Sequence, residues 1–206
     1  MISFDERAKD WDSDPAKVER ARVVAEAIRA AVPLQPDMTA LEYGCGTGLL
    51  SFALRPEFSS ITLADTSQGM LDVLSEKISA AGVTNMHPLR LDFSIDPPPA
   101  SRFGIICSLM TLHHISNIDL VLRNFFAALE PHGVLCISDL DAEDGSFHGA
   151  HVADVHHGFE RRVLQRQVEA AGFRGVKFST VHEVKRRVDG IDKGFPLFLM
   201  TAEKQS

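Results

Sequence analysis

The chain has 206 residues, 45% of them apolar and 24% charged, and a formal net charge of −7. That length supports one domain with a sizeable core, and the composition is ordinary for a globular protein. The acidic excess speaks against a broad nucleic-acid or anionic-membrane surface. Lys185-Arg186-Arg187 is the one tight basic cluster and reads as a solvated strand end.

Residues 1–13 are polar and mixed and hold the single tryptophan, Trp11. Asp14-Pro15 opens a helix, with an acid at the N-cap and proline at N1. Val18, Arg22, Ala25, Ile28 and Val32 follow helical spacing until Pro33 and Pro36. A first strand opens at Thr39 and ends near Tyr43, and a glycine loop then runs into a helical stretch from Leu49. A second strand is Ser60–Asp65. The next helix carries Met70, Leu71, Leu74 and Ile78 on one face and stops at Gly82.

A third strand lies near Met86–Leu91, and Pro97-Pro98-Pro99 marks a loop. Phe103–Ser108 is a continuous apolar run, suited to a strand covered on both faces. Asn117 caps a helix through Leu129, ended by Pro131-His132-Gly133, and Val134–Ser138 is a fifth strand. Residues 141–158 show no periodicity. Phe159–Ala171 reads as a helix closed by Gly172. The last two strands, near Lys177–Val188 and Pro196–Ala202, have no helix between them, which favours an antiparallel hairpin. The pattern predicts an α/β fold, a doubly wound and mostly parallel seven-stranded sheet with an antiparallel terminal hairpin.

Cys45, Cys107 and Cys136 are odd in number and lack C-x-x-C spacing, so neither a disulfide framework nor a zinc site is suggested. No leader pattern or bilayer-length apolar window occurs, and a cytoplasmic protein in a reducing compartment is expected.

The loop Gly44-Cys45-Gly46-Thr47-Gly48 carries the most information. Glycine at alternate positions lets bare backbone approach a ligand. The dinucleotide fingerprint is G-x-G-x-x-G, but here the third glycine comes one residue early and residue 49 is leucine. A tight turn with no ligand is the alternative. In open parallel sheets ligands bind beyond the carboxyl ends of the strands, and these strands end in Glu42, Asp65, Asp92-Phe93, Ser108-Leu109 and Asp139. Asp65 can accept both ribose hydroxyls of a nucleoside, and Asp92 can accept from an adenine amino group with apolar side chains about the ring. Either acid could instead cap the next turn through an Asx bond.

G-x-G-x-G after an acidic strand end resembles motif I of the class I S-adenosylmethionine (SAM)-dependent methyltransferases. Residues 39–48, 60–70, 89–93, 103–115 and 130–139 are similar, in order, to motifs I to V of the small-molecule members. Ser108-Leu109-Met110-Thr111-Leu112-His113-His114-Ile115 and Leu129-Glu130-Pro131-His132-Gly133-Val134-Leu135 resemble the subgroup that includes the quinone-biosynthesis enzymes. The resemblance implies a Rossmann-like fold whose last strand is antiparallel. It implies a single methyltransferase domain over 1–206, with a helical cover (1–36), a SAM-binding core (37–140) and an acceptor-side loop, helix and hairpin (141–206).

Carried over by position, Gly44, Gly46 and Gly48, with Cys45 and Thr47, would admit the methionine part of SAM. Glu42 would orient that loop, Asp65 with Thr66 and Met70 would hold the ribose, Asp92 and Phe93 the adenine, and Ser108 and Leu109 the methionyl end. The Asn/Asp-Pro-Pro-Tyr segment of amino-directed DNA methyltransferases does not follow the fourth strand, and no nucleic-acid partner is expected.

SAM brings an activated methyl group, so the reaction needs an aligned acceptor and, for many acceptors, a base. The candidates are His113, His114 and Asp139, with His148, His151, His156 and His157 behind them. His113 and His114 follow the fourth strand, and a structural role for them stands equally open. His157-Gly158-Phe159 could start the last helix and close over the acceptor. The four later histidines lack the i,i+4 pairing of a helical zinc motif and read as a surface loop, so no metal is expected. Trp11 is either part of a cover over the site or a core anchor. The expected activity is methyl transfer from SAM to a small-molecule acceptor. The alternative is a non-catalytic SAM-binding sensor or partner subunit, with a nicotinamide-dependent reductase third.

Overall fold

A computed structural model describes residues 4–148 and 155–205. The polar opening segment forms a helical turn, α1 (Phe4–Arg7), and a 3-10 segment (Ala8–Ser13). Asp14 caps α2 (Pro15–Ala31) by accepting the Ala16 N–H at 2.9 Å, and proline at N1 forfeits no helical bond there. The strands are β1 (Thr39–Tyr43), β2 (Ser60–Asp65), β3 (Met86–Arg90), β4 (Phe103–Leu109), β5 (Leu129–Leu140), β6 (Arg174–Val188) and β7 (Ile191–Glu203). Between them lie α3 (Leu49–Leu54), α4 (Gln68–Ala80), α5 (Ile118–Ala128) and α6 (Arg161–Ala170).

These strands form one sheet in the order β3-β2-β1-β4-β5-β7-β6. Pairing is parallel from β3 to β5, and β7 runs antiparallel to both β5 and β6. The winding reverses between β1 and β4, and a crevice at that point is where an open sheet of this kind takes a ligand.

Alternate residues of the central strands go to opposite faces. Ala40, Ile105, Cys107 and Cys136 pack under α2, α3 and α4. Leu41, Ile106, Leu135 and Ile137 pack with the buried faces of α5 and α6, through Val121, Leu122, Phe125, Leu164 and Val168. Both faces are sealed, which is why β4 reads as an unbroken apolar run. Each fully buried Leu, Ile or Phe contributes about 1.5–3 kcal/mol by leaving water.

Several boundaries differ from the sequence reading: β6 starts at Arg174 and β7 at Ile191, ahead of the expected Lys177 and Pro196. The last helix starts at Arg161, because Glu160 accepts the Arg162 and Val163 N–H groups as its N-cap. Phe159 is buried, bridged in parallel to Asp141, and Gly158 is left-handed (φ +68°). His157-Gly158-Phe159 is therefore a connection tied to the end of β5 and not a helix start. The fifth strand begins at Leu129, directly after α5. Its register with β4 shifts between Phe103 and Ile105, and the Pro131-His132-Gly133 stop becomes a bulge with His132 left-handed (φ +64°).

Candidate functional site

The carboxyl ends of β1, β2 and β4 are tied together through the glycine loop. The Gly44 and Cys45 N–H groups donate to the Ala64 carbonyl at 2.8 and 3.0 Å. Ser108 Oγ donates to the Tyr43 carbonyl at 2.9 Å, and Thr111 Oγ1 to the Gly44 carbonyl at 3.2 Å. Gly44 is left-handed (φ +71°), and a Cβ there would stand 2.1 Å from Thr111 Cγ2. Gly46 is also left-handed (φ +52°), yet its Cβ position meets only Met70 Sδ and Trp11 Nε1, each at 3.9 Å. Bare backbone at Gly44 serves packing; at Gly46 it leaves an open cradle.

The strand-end acids are used differently. Asp65 Oδ2 accepts the Gly46 N–H at 2.7 Å and Oδ1 accepts the Ser67 N–H at 2.9 Å, so one carboxylate sets the loop and the turn after β2. Burial raises its pKa against the pull of those N–H donors. Glu42 is buried and accepts from the Ser51 N–H at 3.0 Å and from the Ser51 hydroxyl. Burial pushes it up to about 7, with those two bonds pulling the other way. Glu42 therefore reaches α3 and touches the loop only indirectly. Asp92 Oδ1 makes an Asx bond to the Ser94 N–H at 2.8 Å.

Phe93 lies inside the core and not on the crevice. Its ring stacks on Tyr43 at 5.0 Å, meets Phe125 edge-on at 5.7 Å, and is fully buried. Its N–H donates to the Tyr43 hydroxyl at 3.1 Å. Thr66 is exposed and Leu109 half-buried, while Met70, Cys45, Thr47, Gly48 and Ser108 are buried.

Asp5, Asp12 and Lys77 join the site although no motif marks them. Asp5 accepts from Ser67 Oγ at 2.6 Å and the Gly69 N–H at 2.8 Å. Asp12 accepts from the Thr47 hydroxyl and from Lys77 Nζ. Trp11 stands over Gly46 with Lys17 Nζ 4.1 Å from its ring centroid. The opening segment thus lies across the glycine loop, held by acids whose spacing follows no motif.

Beyond β4, His113 is almost fully buried. Its Nδ1 donates to Asp139 Oδ1 at 2.6 Å, and Asp139 is fully buried and also accepts the Leu140 N–H at 2.8 Å. His114 and His148 stand against it, with ring centroids 4.1 and 5.0 Å from His113 and 5.2 Å from each other. Burial, then the neighbouring His113, lowers the pKa of His114 to about 3 and that of His148 to about 4, so both rings are neutral at pH 7. His156 goes elsewhere: its Nε2 bonds the Ile115 carbonyl at 2.9 Å. His157 is exposed, and His151 lies outside the described residues. The fold, and no spacing along the chain, sets His148 beside His113 and His114.

A cleft of about 560 Å³ opens elsewhere on the same edge, between the starts of α5 and α6, lined by Asn117, Asp119, His156, Phe159, Glu160 and Gln167. None of its lining residues belongs to the glycine loop. Volume and chemistry diverge here, and the strand-end geometry is the better guide to the site. No helix among the described residues is long and apolar enough to cross a membrane.

The fold, with its glycine loop after β1 and acids at the strand ends, is that of the class I SAM-dependent methyltransferases. Residues 17–177 match the methyltransferase domain family, and the chain belongs to it. It is 31% identical over 135 residues, 59% of this chain and 48% of the relative, to an uncharacterized methyltransferase of Schizosaccharomyces pombe. It is 26% identical over 144 residues, 68% of this chain and 61% of the relative, to the ubiquinone biosynthesis O-methyltransferase of Coxiella burnetii. The chain spans about half to three fifths of the length of these curated relatives.

Among solved structures, Haemonchus contortus phosphoethanolamine N-methyltransferase 2 in complex with SAM shares the fold with a TM-score of 0.75 at 14% identity, over 100% of this chain and 61% of that one. The YcgJ protein of Bacillus subtilis does so with a TM-score of 0.73 at 14% identity, over 89% of this chain and 98% of that one.

Proposed function

We propose that this chain transfers the methyl group of SAM to a small-molecule acceptor by direct in-line displacement. One observation carries the reading: Asp65 holds the Gly46 amide in place while the open side of Gly46 faces a cradle bounded by Met70 and Trp11. The residues fit SAM. The loop Gly44, Cys45, Gly46, Thr47 and Gly48 would take the methionine part, with Ser108 and Leu109 at the methionyl end. Asp65 and Thr66 would take the ribose beside Met70, and Asp92 the adenine. Glu42 acts through Ser51 as a positioning residue, and Phe93 belongs to the core beneath the site.

When bound, SAM supplies a sulfonium-activated methyl, and the chain's own work is alignment and proton removal. Proton removal falls to the histidine group, with Asp139 holding the Nδ1 side of His113. His114 stands beside His113, where it would line the acceptor's approach. An acidic chain with no broad basic face agrees with a small acceptor.

The test is a thermal-unfolding titration with SAM, S-adenosylhomocysteine and NAD on the wild type and Asp65→Ala. A ligand at a hundred times its Kd stabilises by about 2.7 kcal/mol, which moves the midpoint of a chain this size by about 5–11 °C. A shift with the two sulfur ligands that Asp65→Ala loses, with none from NAD, is expected. No shift with either sulfur ligand sinks the reading. SAM binding with no methylation across phenol, amine, thiol and carbon acceptors returns the chain to a sensor or partner subunit.

A further inference from the structure

His113 and His114 follow β4, and His148 arrives from the chain beyond β5, 34 positions after His114. One ring nitrogen of each can be chosen so that all three lie within 4.8 Å of one another. We propose that these three imidazoles bind one borderline transition-metal dication of the zinc type and leave at least one coordination position open.

Four observations support this. First, Asp139 takes the Nδ1–H of His113, which leaves Nε2 as the lone-pair nitrogen and fixes the ring. A carboxylate behind a ligating histidine is the usual outer partner of a metal-bound imidazole. Second, His148 Nε2 is buried and has no hydrogen-bond partner among the described residues. Buried polar atoms are seldom left so, and an orphan needs an occupant. Third, an all-imidazole set suits zinc, cobalt, nickel or copper, whereas magnesium and calcium want oxygen. Fourth, three protein ligands with a free position is the pattern of catalytic rather than structural zinc.

The rings are open relative to a filled site. Bonds of about 2.1 Å set ligand nitrogens about 3.4 Å apart at a tetrahedral ion, so binding must draw the set together. Arg7 and Arg186 lie near the cluster and oppose a cation, and Asp139 offsets them. Two rings link the cluster to the glycine loop: Phe4 lies 5.4 Å from His114 and 6.0 Å from Trp11, which covers Gly46. The open position would hold an acceptor hydroxyl whose pKa the ion would lower towards neutral, its proton passing to water, so the histidine group would promote proton removal as ligands and not as free bases. That last role rests on the methyl-transfer reading above; metal binding itself does not.

The experiment uses chelator-stripped full-length protein titrated with Co²⁺ alone, read by its visible d–d bands, with Zn²⁺ then displacing the signal. SAM binding is measured on the same samples. One equivalent of Co²⁺ with the intense bands of a four- or five-coordinate ion is expected. The bands should vanish in His148→Phe, which keeps a ring in place. Affinity should fall about 10–100-fold in Asp139→Asn, the effect of losing an outer partner. His157→Ala should bind as the wild type does. No bands, bands that survive His148→Phe, or bands lost in His157→Ala would overturn the site. Cobalt bound without SAM keeps the metal site and sinks the methyl-transfer reading; SAM bound without cobalt does the reverse.

Discussion

Lys77 Nζ lies 2.5 Å from Asp12 Oδ2 and 2.7 Å from the Thr47 carbonyl, so one ammonium on α4 holds both the opening segment and the glycine loop. The Lys77–Asp12 pair is about one-third exposed, and pairs of that kind contribute at most about 1 kcal/mol. Lys77→Met should lower the midpoint by no more than about 4 °C. It should free the segment around Trp11, seen as faster proteolytic cleavage before residue 14. Unchanged cleavage would show that Asp5 alone suffices to hold the segment.

Two glycines two positions apart should fail in different ways. Gly44→Ala meets Thr111 at 2.1 Å as well as a left-handed backbone. It should cost about 1–2 kcal/mol in strain and a further 1–3 kcal/mol in overpacking, and Thr111→Gly should recover only the second part. Gly46→Ala has room for its methyl and bears the strain alone, but that methyl fills the cradle. Denaturant unfolding should show the smaller loss for Gly46→Ala, and SAM titration the larger. Equal SAM affinity in wild type and Gly46→Ala would remove the cradle from the site.

The histidine cluster and Glu42 give stability opposite slopes with pH. His114 and His148 titrate near 3 and 4 in the folded chain and near their ordinary 6.5 when unfolded. Below pH 6.5 the unfolded state binds more protons at these rings, so stability falls as pH drops from 6.5 towards 4. Glu42 is raised from 4.5 to about 7, so between those values the folded state binds more protons and its contribution falls as pH rises. His148→Phe should flatten the acid limb, and Glu42→Gln should raise the midpoint at pH 8. A pH–stability curve that neither variant changes would contradict both assignments.

Tyr43 and Phe93 should behave as core residues. Tyr43→Phe removes the acceptor for the buried Phe93 N–H and should cost about 1–3 kcal/mol. Phe93→Ala should cost about 3–5 kcal/mol by leaving a cavity between Tyr43 and Phe125. Folded Phe93→Ala should still bind SAM with wild-type affinity in calorimetry. A specific loss of affinity without loss of stability would return Phe93 to the adenine side.

Local signals were legible wherever the chain answers to its neighbours. Ser60–Asp65 is legible to the residue because alternating Ile61 and Leu63 lead into a strand-end acid, and the Asp14-Pro15 cap because proline and an acid suit that end of a helix. Phe93 is illegible in the sequence because an aromatic after a strand-end acid looks alike whether it turns to the crevice or to the core. The choice was made by Tyr43, fifty positions away. Asp5, Asp12 and His148 were illegible for the same reason: their partners lie far along the chain, and side-chain periodicity carries no information about such pairs. The sequence predicts the last helix from Phe159, two residues too early, because the bridge of Phe159 to Asp141 and the capping bonds of Glu160 leave no local signal.

All three thiols are shielded, with Cys45, Cys107 and Cys136 at 5%, 3% and 1% exposure. Cys107 faces Cys136 across β4 and β5, and their mutual hydrogen bond, then burial, raises the Cys107 thiol; burial raises Cys45. Thiolates are the reactive form, so a thiol reagent must wait for the chain to open. Cys45 waits only for the loop between β1 and α3, whereas the other two wait for the sheet. The protein therefore carries its own pair of exchange clocks, one local and one global. Occupancy of the glycine loop should slow the first by more than the second, read on native cysteines with no substitution introduced.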